Sequence, residues 1–164
     1  MKARRGFLLG IAAALGARAI VHRLLLWQFA RNVAALNAGD YRPLLANYAD
    51  DAVLHFNEGP HRWSGEHRGK AAIERFLQEF VGAGLSGEIR QLWIAGPPWA
   101  LTMAARFDDE ASAGGERLYA NRVAMVIRTR WGRIVEQEDF YEDSERIPAF
   151  ERALREHGIA PVTA

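Results

Sequence analysis

Two neighbouring segments, VAALNAGD at 33–40 and NYADDA at 47–52, restrict the fold of this chain more than any other stretch. Leu25, Phe29, Val33 and Leu36 recur at helical spacing, with Asn32 beside that stripe. Gly39 supplies the stop that an L-residue resists, because a helix commonly ends in a left-handed residue. Asp40 can cap a second, short helix, and Pro43 is tolerated in its first turn. Leu44, Leu45 and Tyr48 give that helix an apolar side, and the acidic pair Asp50-Asp51 leads into a strand expected over 52–57. This grammar predicts a helix-lined conical pocket closed by a curved sheet. It leaves the reaction open.

The rest of the chain continues the pattern. Residues 57–69, rich in Gly, Pro and Ser, read as a loop. Helical period returns over 69–81, with Ile73, Phe76, Leu77 and Phe80 on one face and Gly82 and Gly84 after it. Four strands are expected over 88–95, 99–108, 117–129 and 133–141. They are separated by Gly96-Pro97-Pro98, a polar hairpin loop over 109–115, and the tight turn Arg130-Trp131-Gly132. A last helix over 147–157 carries Phe150 and Leu154. Helices gathered on one face of an antiparallel sheet define an α+β domain, and a concave sheet face is where small molecules bind.

A chain of 164 residues, 49% hydrophobic and 25% charged, suits one globular domain with a real core. The net charge of +1 shows no basic bias, so nucleic acid is not an expected partner. With no cysteine, disulfides, thiolate chemistry and zinc–thiolate sites are excluded. The amino end stands apart: Lys2, Arg4 and Arg5 precede an apolar run over 6–17, and Ala17-Arg18-Ala19 has the form of a cleavage site. Arg4-Arg5 followed by Gly6-Phe7-Leu8 also suits a twin-arginine export signal. Residues 1–22 therefore read either as a signal or anchor touching a membrane, or as an amphipathic extension of a cytoplasmic protein. The latter is the favoured reading, with a domain over 23–158 and a tail over 159–164.

VAALNAGD, YADDAVLHF, the loop ending Ser64-Gly65-Glu66-His67-Arg68-Gly69, and WGRIVEQEDFYED together resemble the NTF2-like superfamily. Within it, the match is to the SnoaL-like and ketosteroid-isomerase-like group, over roughly 24–145. The resemblance implies a cone-shaped roll: a curved, mainly antiparallel sheet packed against three helices. It also implies a homodimer formed through the outer sheet face, and a small apolar ligand. Reactions vary widely across the superfamily, so fold alone does not supply the activity. Where steroid isomerases carry a first-helix tyrosine, a base after the first strand and a protonated aspartate, this chain has Asn32, Phe56 and Ala124. Standard steroid isomerisation is thereby disfavoured. Limonene-type epoxide hydrolases use Arg-x-Asp with a last-strand Asp; this chain offers Arg122-Val123-Ala124 and Asp139, without the middle carboxylate. SnoaL-type cyclases, which rely chiefly on one acidic acid/base group, are contradicted least.

Strand alternation puts Gln137, Asp139 and Tyr141 on one face and Glu136, Glu138 and Phe140 on the other. If the first face lines the cone, Asp139 is the proton-transferring group, and apolar surroundings raise its pKa. Arg122, expected to share an inner face with Ala120, Ala124 and Val126, would pair with Asp139 or hold an anionic ligand. Tyr141, Gln137, Asn32, His55 and Phe56 are the expected ligand contacts. For His55, packing or a backbone hydrogen bond is the competing role. His61 and His67 fall in a loop with Glu58 and Glu66 but lack tight ligand spacing, so they read as solvated and no metal is expected. Trp27, Trp63, Trp93 and Trp99 read as core residues or cavity rim. Acid/base chemistry of this kind needs no cofactor. The rival reading is a non-catalytic module that holds a hydrophobic ligand, or a dimerising scaffold.

Overall fold

The computed structural model describes residues 20 and 22–162. The chain divides into two compact units, Met1–Arg31 and Asn32–Ala164, and a helix, α1, covers 22–37. In the first unit Ile20, Leu24 and Trp27 are exposed, and the Arg31 guanidinium lies 5.5 Å from the centroid of the Trp27 ring, a cation–π arrangement. The signal, anchor and cleavage readings fall on residues 1–22, of which 1–19 and 21 lie outside the described residues. Among the described residues, no helix is long and apolar enough to cross a membrane.

The second unit continues with α2 (Arg42–Leu45), β1 (Tyr48–His55), β2 (Glu66–Arg68), α3 (Lys70–Gly82), β3 (Leu85–Ala95), β4 (Thr102–Ala113), β5 (Glu116–Arg130), β6 (Arg133–Tyr141) and α4 (Arg146–Glu156). The six strands form one sheet in the order β2-β1-β6-β5-β4-β3. The β1–β6 pair is parallel and every other pair antiparallel. Register shifts interrupt β1–β6, β3–β4, β4–β5 and β5–β6, and each such bulge bends its strand and strengthens its twist.

Three elements depart from expectation. β1 starts at Tyr48, a residue expected on the short helix, and its side chain is buried in the core. β2 lies inside the expected loop. β4 runs through the expected hairpin loop as far as Ala113, because Met103, Ala105, Phe107, Asp109 and Ala111 alternate inward without a break. The turn falls instead on Gly114-Gly115, with φ of +59° and +85°. Both residues need the left-handed region, which costs glycine nothing.

Helix α3 buries Ile73, Phe76 and Leu77, and α4 buries Ile147, Phe150 and Leu154, each at the spacing of one helical face. Trp63 stacks on Phe150 with centroids 5.8 Å apart, and Phe150 stacks on Tyr119 at 4.6 Å. These three rings fill part of the space above the sheet. Of the four tryptophans expected in a core or rim, only Trp63 is buried; Trp27, Trp93 and Trp99 are more than half exposed.

One buried ion pair ties the loop, α3, α4 and the tail together. The Arg62 guanidinium reaches Glu151 at 2.8 Å and Glu79 at 3.3 Å, and donates to the carbonyls of Ile159 and Ala160. Glu79 accepts the Val162 amide at 2.8 Å. The Arg62 and Glu151 side chains are only 3% and 2% exposed, and the solvent-exposed Arg155 also reaches Glu151 at 3.0 Å, so Glu151 keeps one cation when Arg62 is removed. Arg62→Met removes the donor to Glu79 and to the Ile159 and Ala160 carbonyls and should lower unfolding stability by about 1–3 kcal/mol in urea denaturation. A loss below about 1 kcal/mol would show that water already reaches the pair.

Candidate functional site

The inner face of β6 presents Gln137 and Asp139, both buried, whereas Phe140 on the opposite face is more than half exposed. The phenol of Tyr48 donates to Gln137 Oε1. That fixes the amide so that its Nε2 donates to Asp139 at 3.0 Å to Oδ1 and 3.3 Å to Oδ2. A parallel arm lies two strands away. The Tyr141 hydroxyl donates to Oδ2 of Asp109 at 3.1 Å, and Asp109 sits on the inner face of β4.

Asp109 was not among the expected site residues. Its neighbours Asp108 and Glu110 make the stretch look like a solvated turn. The signal that finds it is the apolar alternation of Phe107 and Ala111 on either side. Gly87 of β3 pairs with Asp109 across the sheet, and a methyl group at 87 would come within 3.0 Å of Asp109 Oδ1 and 3.4 Å of the Phe107 ring. Glycine there keeps the space beside this carboxyl open. Asn37 holds Gly87 in place: its amide donates to the Gly87 carbonyl at 2.9 Å and accepts the Gly87 amide at 3.0 Å.

Burial pushes both carboxyls up. Asp139 rises to about 7, with the Gln137 donor opposing the rise and the charge of Asp109 adding to it. Asp109 also rises to about 7, with the Tyr141 donor opposing and the charge of Asp108 adding. Among the described residues, neither carboxyl forms an ion pair. Burial likewise raises Tyr141, and the charges of Asp109 and Asp139 add to that. The two acids and two phenols thus form one coupled set, in which ionising one member resists ionising the next.

Two cavities reach this set. One, of about 740 Å³, has Asp109 and Asn121 in its lining together with Arg90, Arg117, Arg122 and Arg146. The other, of about 610 Å³, is lined by Asp139, Tyr141, Phe56 and Asn57 together with outward-facing residues of β6.

The remaining expected residues are distributed as follows. Phe56 packs against Tyr141, Phe76 and His61 with centroids 5.1, 5.3 and 5.7 Å apart, and so forms an aromatic wall beside Asp139. Asn32 is buried but lines neither cavity. His55 lies on the outward side of β1, 3.6 Å from Glu66 and 3.9 Å from Glu136. It lines the outer part of the second cavity.

Arg122 requires a correction. It shares a face with Ala120 and Ala124, but that face is outward, and Arg122 pairs with Glu142 instead of Asp139. Either face of β5 reads as apolar. The bulkier set Tyr119, Val123 and Ile127 went inward, which buries more surface and leaves the guanidinium in water. His61 also differs from expectation: it is buried against Phe56 and Trp63, and burial lowers its pKa. The ring of His67 lies 3.0 Å from the Trp63 carbonyl.

Two predictions follow from the geometry of this set. Tyr48→Phe removes the donor that orients Gln137, so the ionised Asp139 loses support and its pKa should climb above about 7, read by carboxyl ¹³C chemical shift against pH. An unmoved titration would show that Gln137 needs no such anchor. Secondly, a carboxyl whose folded pKa lies near 7 stabilises the fold fully below the unfolded value of about 4 and progressively less as pH rises to 7. Asp109→Asn should therefore gain stability over the parent protein between pH 5 and pH 8, by up to about 1.4 kcal/mol per pH unit until pH 7. The measurement is urea midpoints at both pH values.

A family model for the SnoaL-like domain matches residues 29–137. Among curated proteins nothing matches. Among solved structures, the Bal32a protein from a soil-derived mobile gene cassette is similar at 21% identity and a TM-score of 0.59, covering 77% of this chain and 93% of that one. An NTF2-like protein from Anabaena variabilis aligns at 20% identity and a TM-score of 0.55, covering 76% and 90%. A Xanthomonas campestris protein provisionally named a polyketide cyclase aligns at 20% identity and a TM-score of 0.54, covering 76% and 95%. These likenesses fit the expected α+β, NTF2-like architecture, here with four helices among the described residues in place of the expected three, and a mixed sheet that does not close. Since the family match spans residues 29–137, most of the chain, this protein belongs to the SnoaL-like domain family of the NTF2-like fold.

Proposed function

We propose that the protein is a SnoaL-like small-molecule enzyme that moves a proton on an apolar, oxygenated substrate of polyketide, terpenoid or steroid type. The observation that carries this reading is the pair of buried carboxyls, Asp139 and Asp109, each raised to about 7 with no ion-pair partner among the described residues. Groups that titrate near working pH can both take and return a proton, and pairs of perturbed acids concentrate at reacting sites. Asp139 is the proton-transferring group: its carboxylate takes a C–H or O–H proton and returns it to another atom of the same substrate. Gln137 orients it, and Tyr48 orients Gln137. Tyr141 and Asp109 form a second donor arm that can polarise a substrate oxygen, in the way a neutral carboxylic acid donates a hydrogen bond. Phe56 supplies apolar contact. The provisional naming of a structural neighbour as a polyketide cyclase agrees with this class.

A second reading, a non-catalytic module holding a hydrophobic ligand, draws support from the stack of Trp63, Phe150 and Tyr119, which takes up interior space. A homodimer across the outward sheet face, where Trp93 and Phe140 are exposed, suits either reading.

A general base in a dry site can be tested without the natural substrate. 5-Nitrobenzisoxazole loses its ring C–H proton to a base, its N–O bond breaks, and a coloured cyanophenolate forms. The expected result is turnover that rises with pH through about 7 as Asp139 ionises. Asp139→Asn should lower kcat/KM by at least about 10²-fold. Equal turnover by the Asn variant would favour the binding module.

A further inference from the structure

Basic and acidic residues are unevenly placed along this chain. Of its 21 Lys and Arg, six (Lys2, Arg4, Arg5, Arg18, Arg23 and Arg31) fall within residues 1–39, where none of its 20 Asp and Glu falls. Residues 40–164 hold the other 15 basic groups against all 20 acids. An anionic surface therefore attracts the first segment and repels the second.

Within the basic segment, the first helix turns an apolar row to solvent. Ile20, itself helical, Leu24 and Trp27 are each at least 60% exposed. They recur at i, i+4 and i+7, so they share one side of the helix, whereas Phe29, on the opposite side from Ile20, is buried. Arg31 continues the row, Arg23 borders it, and both are exposed. The Arg31 guanidinium lies over the Trp27 ring, 5.5 Å from its centroid. A contiguous apolar row rimmed by charge marks a contact surface.

The charge around the row selects what covers it. A nucleic acid would meet the arginines and gain nothing from Ile20 and Leu24. An uncharged apolar groove would leave the arginines without counter-charge. The boundary between lipid headgroups and acyl chains supplies both: apolar depth for Ile20, Leu24 and Trp27, and phosphate oxygens for Arg23 and Arg31. Indole rings favour that depth, and arginine stems run along apolar surface while the guanidinium stays at headgroup level. Arg23 and Arg31 stand about 12 Å apart along the axis, so both reach phosphates only if the helix lies along the surface.

We infer that this side of α1 is a docking surface for a bilayer containing anionic lipid, with Ile20, Leu24 and Trp27 dipping below the headgroups and Arg23 and Arg31 held on the phosphates. The contact rests on residues 20–31, unlike a signal or anchor over 1–22. It is independent of the acid/base reading of Asp139.

The test is co-sedimentation of the full chain with sucrose-loaded phosphatidylcholine vesicles, with or without about one-third phosphatidylglycerol. Partitioning into the acidic vesicles should be at least about tenfold stronger, and about 0.5 M salt should remove most of that gain. Trp27→Ser and Leu24→Ser should each weaken acidic-vesicle binding about fivefold or more, and Arg23→Gln combined with Arg31→Gln about tenfold or more. Because these side chains are exposed, the variants should keep the urea midpoint of the unaltered protein. If a midpoint moves, quenching decides: lipid brominated on its acyl chains should quench the unaltered protein more than Trp27→Phe, the difference being Trp27. Equal partitioning into both vesicle types, binding to neither, binding that survives every substitution, or equal quenching with and without Trp27 would each overturn the inference. So would a lipid-free dimer that Trp27→Ser splits while vesicle binding is unchanged, since the row would then be covered by a second copy.

Discussion

The governing constraint in this molecule is that two buried carboxyl groups, Asp109 and Asp139, have no ion-pair partner among the described residues. An ionised carboxylate removed from water is costly unless it is paired. Here the compensation comes only from neutral donors, the Gln137 amide and the Tyr141 phenol. Such donors offset part of the desolvation and leave the rest to be relieved by protonation. The surrounding architecture serves that compromise. Tyr48 turns the Gln137 amide the right way round, glycine at position 87 leaves space beside Asp109, and Arg90 and Arg122 stay outside with their own carboxylate partners. A guanidinium turned inward beside either acid would lower that acid's pKa and hold it ionised near neutrality.

Much of this was legible in the sequence where a single rule governs. β6 was bounded correctly at 133–141, and its alternation separated Gln137 and Asp139 from Glu136 and Glu138 because one face is plainly charged. Where two rules compete, reading the sequence was not enough. Both faces of β5 are apolar enough to go inward, and the choice between them is made by the packing of neighbouring strands. Asp109 was hidden by the acids on either side, since a cluster of three reads as a turn although only the middle one is buried. Tyr48 reads as part of the short helix because its spacing from Leu44 and Leu45 suits one helical face, whereas that helix ends after four residues, Arg42–Leu45. Its link to Gln137 spans 89 positions, beyond the reach of any local pattern. The burial of His61 depends likewise on a loop folding back over the aromatic cluster.

The family and the site are known at different levels. The family match over 29–137 takes in Asp109 but stops two residues before Asp139. Structural neighbours at 17–22% identity establish the path of the chain and say little about what its side chains do. The same framework accepts many arrangements of reacting groups on its inner face. The particular arrangement here, with the first helix contributing Asn32 and the fifth strand contributing no acid at Ala124, separates this chain from the steroid isomerase pattern. What distinguishes it is a pair of acids drawn from β4 and β6.

The hold of Asn37 on Gly87 also bears on how the molecule coexists with copies of itself. β3 is an outermost strand 11 residues long, the kind of open flank along which chains polymerise. By occupying both main-chain groups of Gly87, the Asn37 side chain imitates a neighbouring strand for one residue and denies that position to a real one. The bulge between Ile89 and Gln91 then throws the remainder out of regular spacing, and Arg90 adds charge at the same point. A residue that shapes the interior thus doubles as a safeguard against fibre growth.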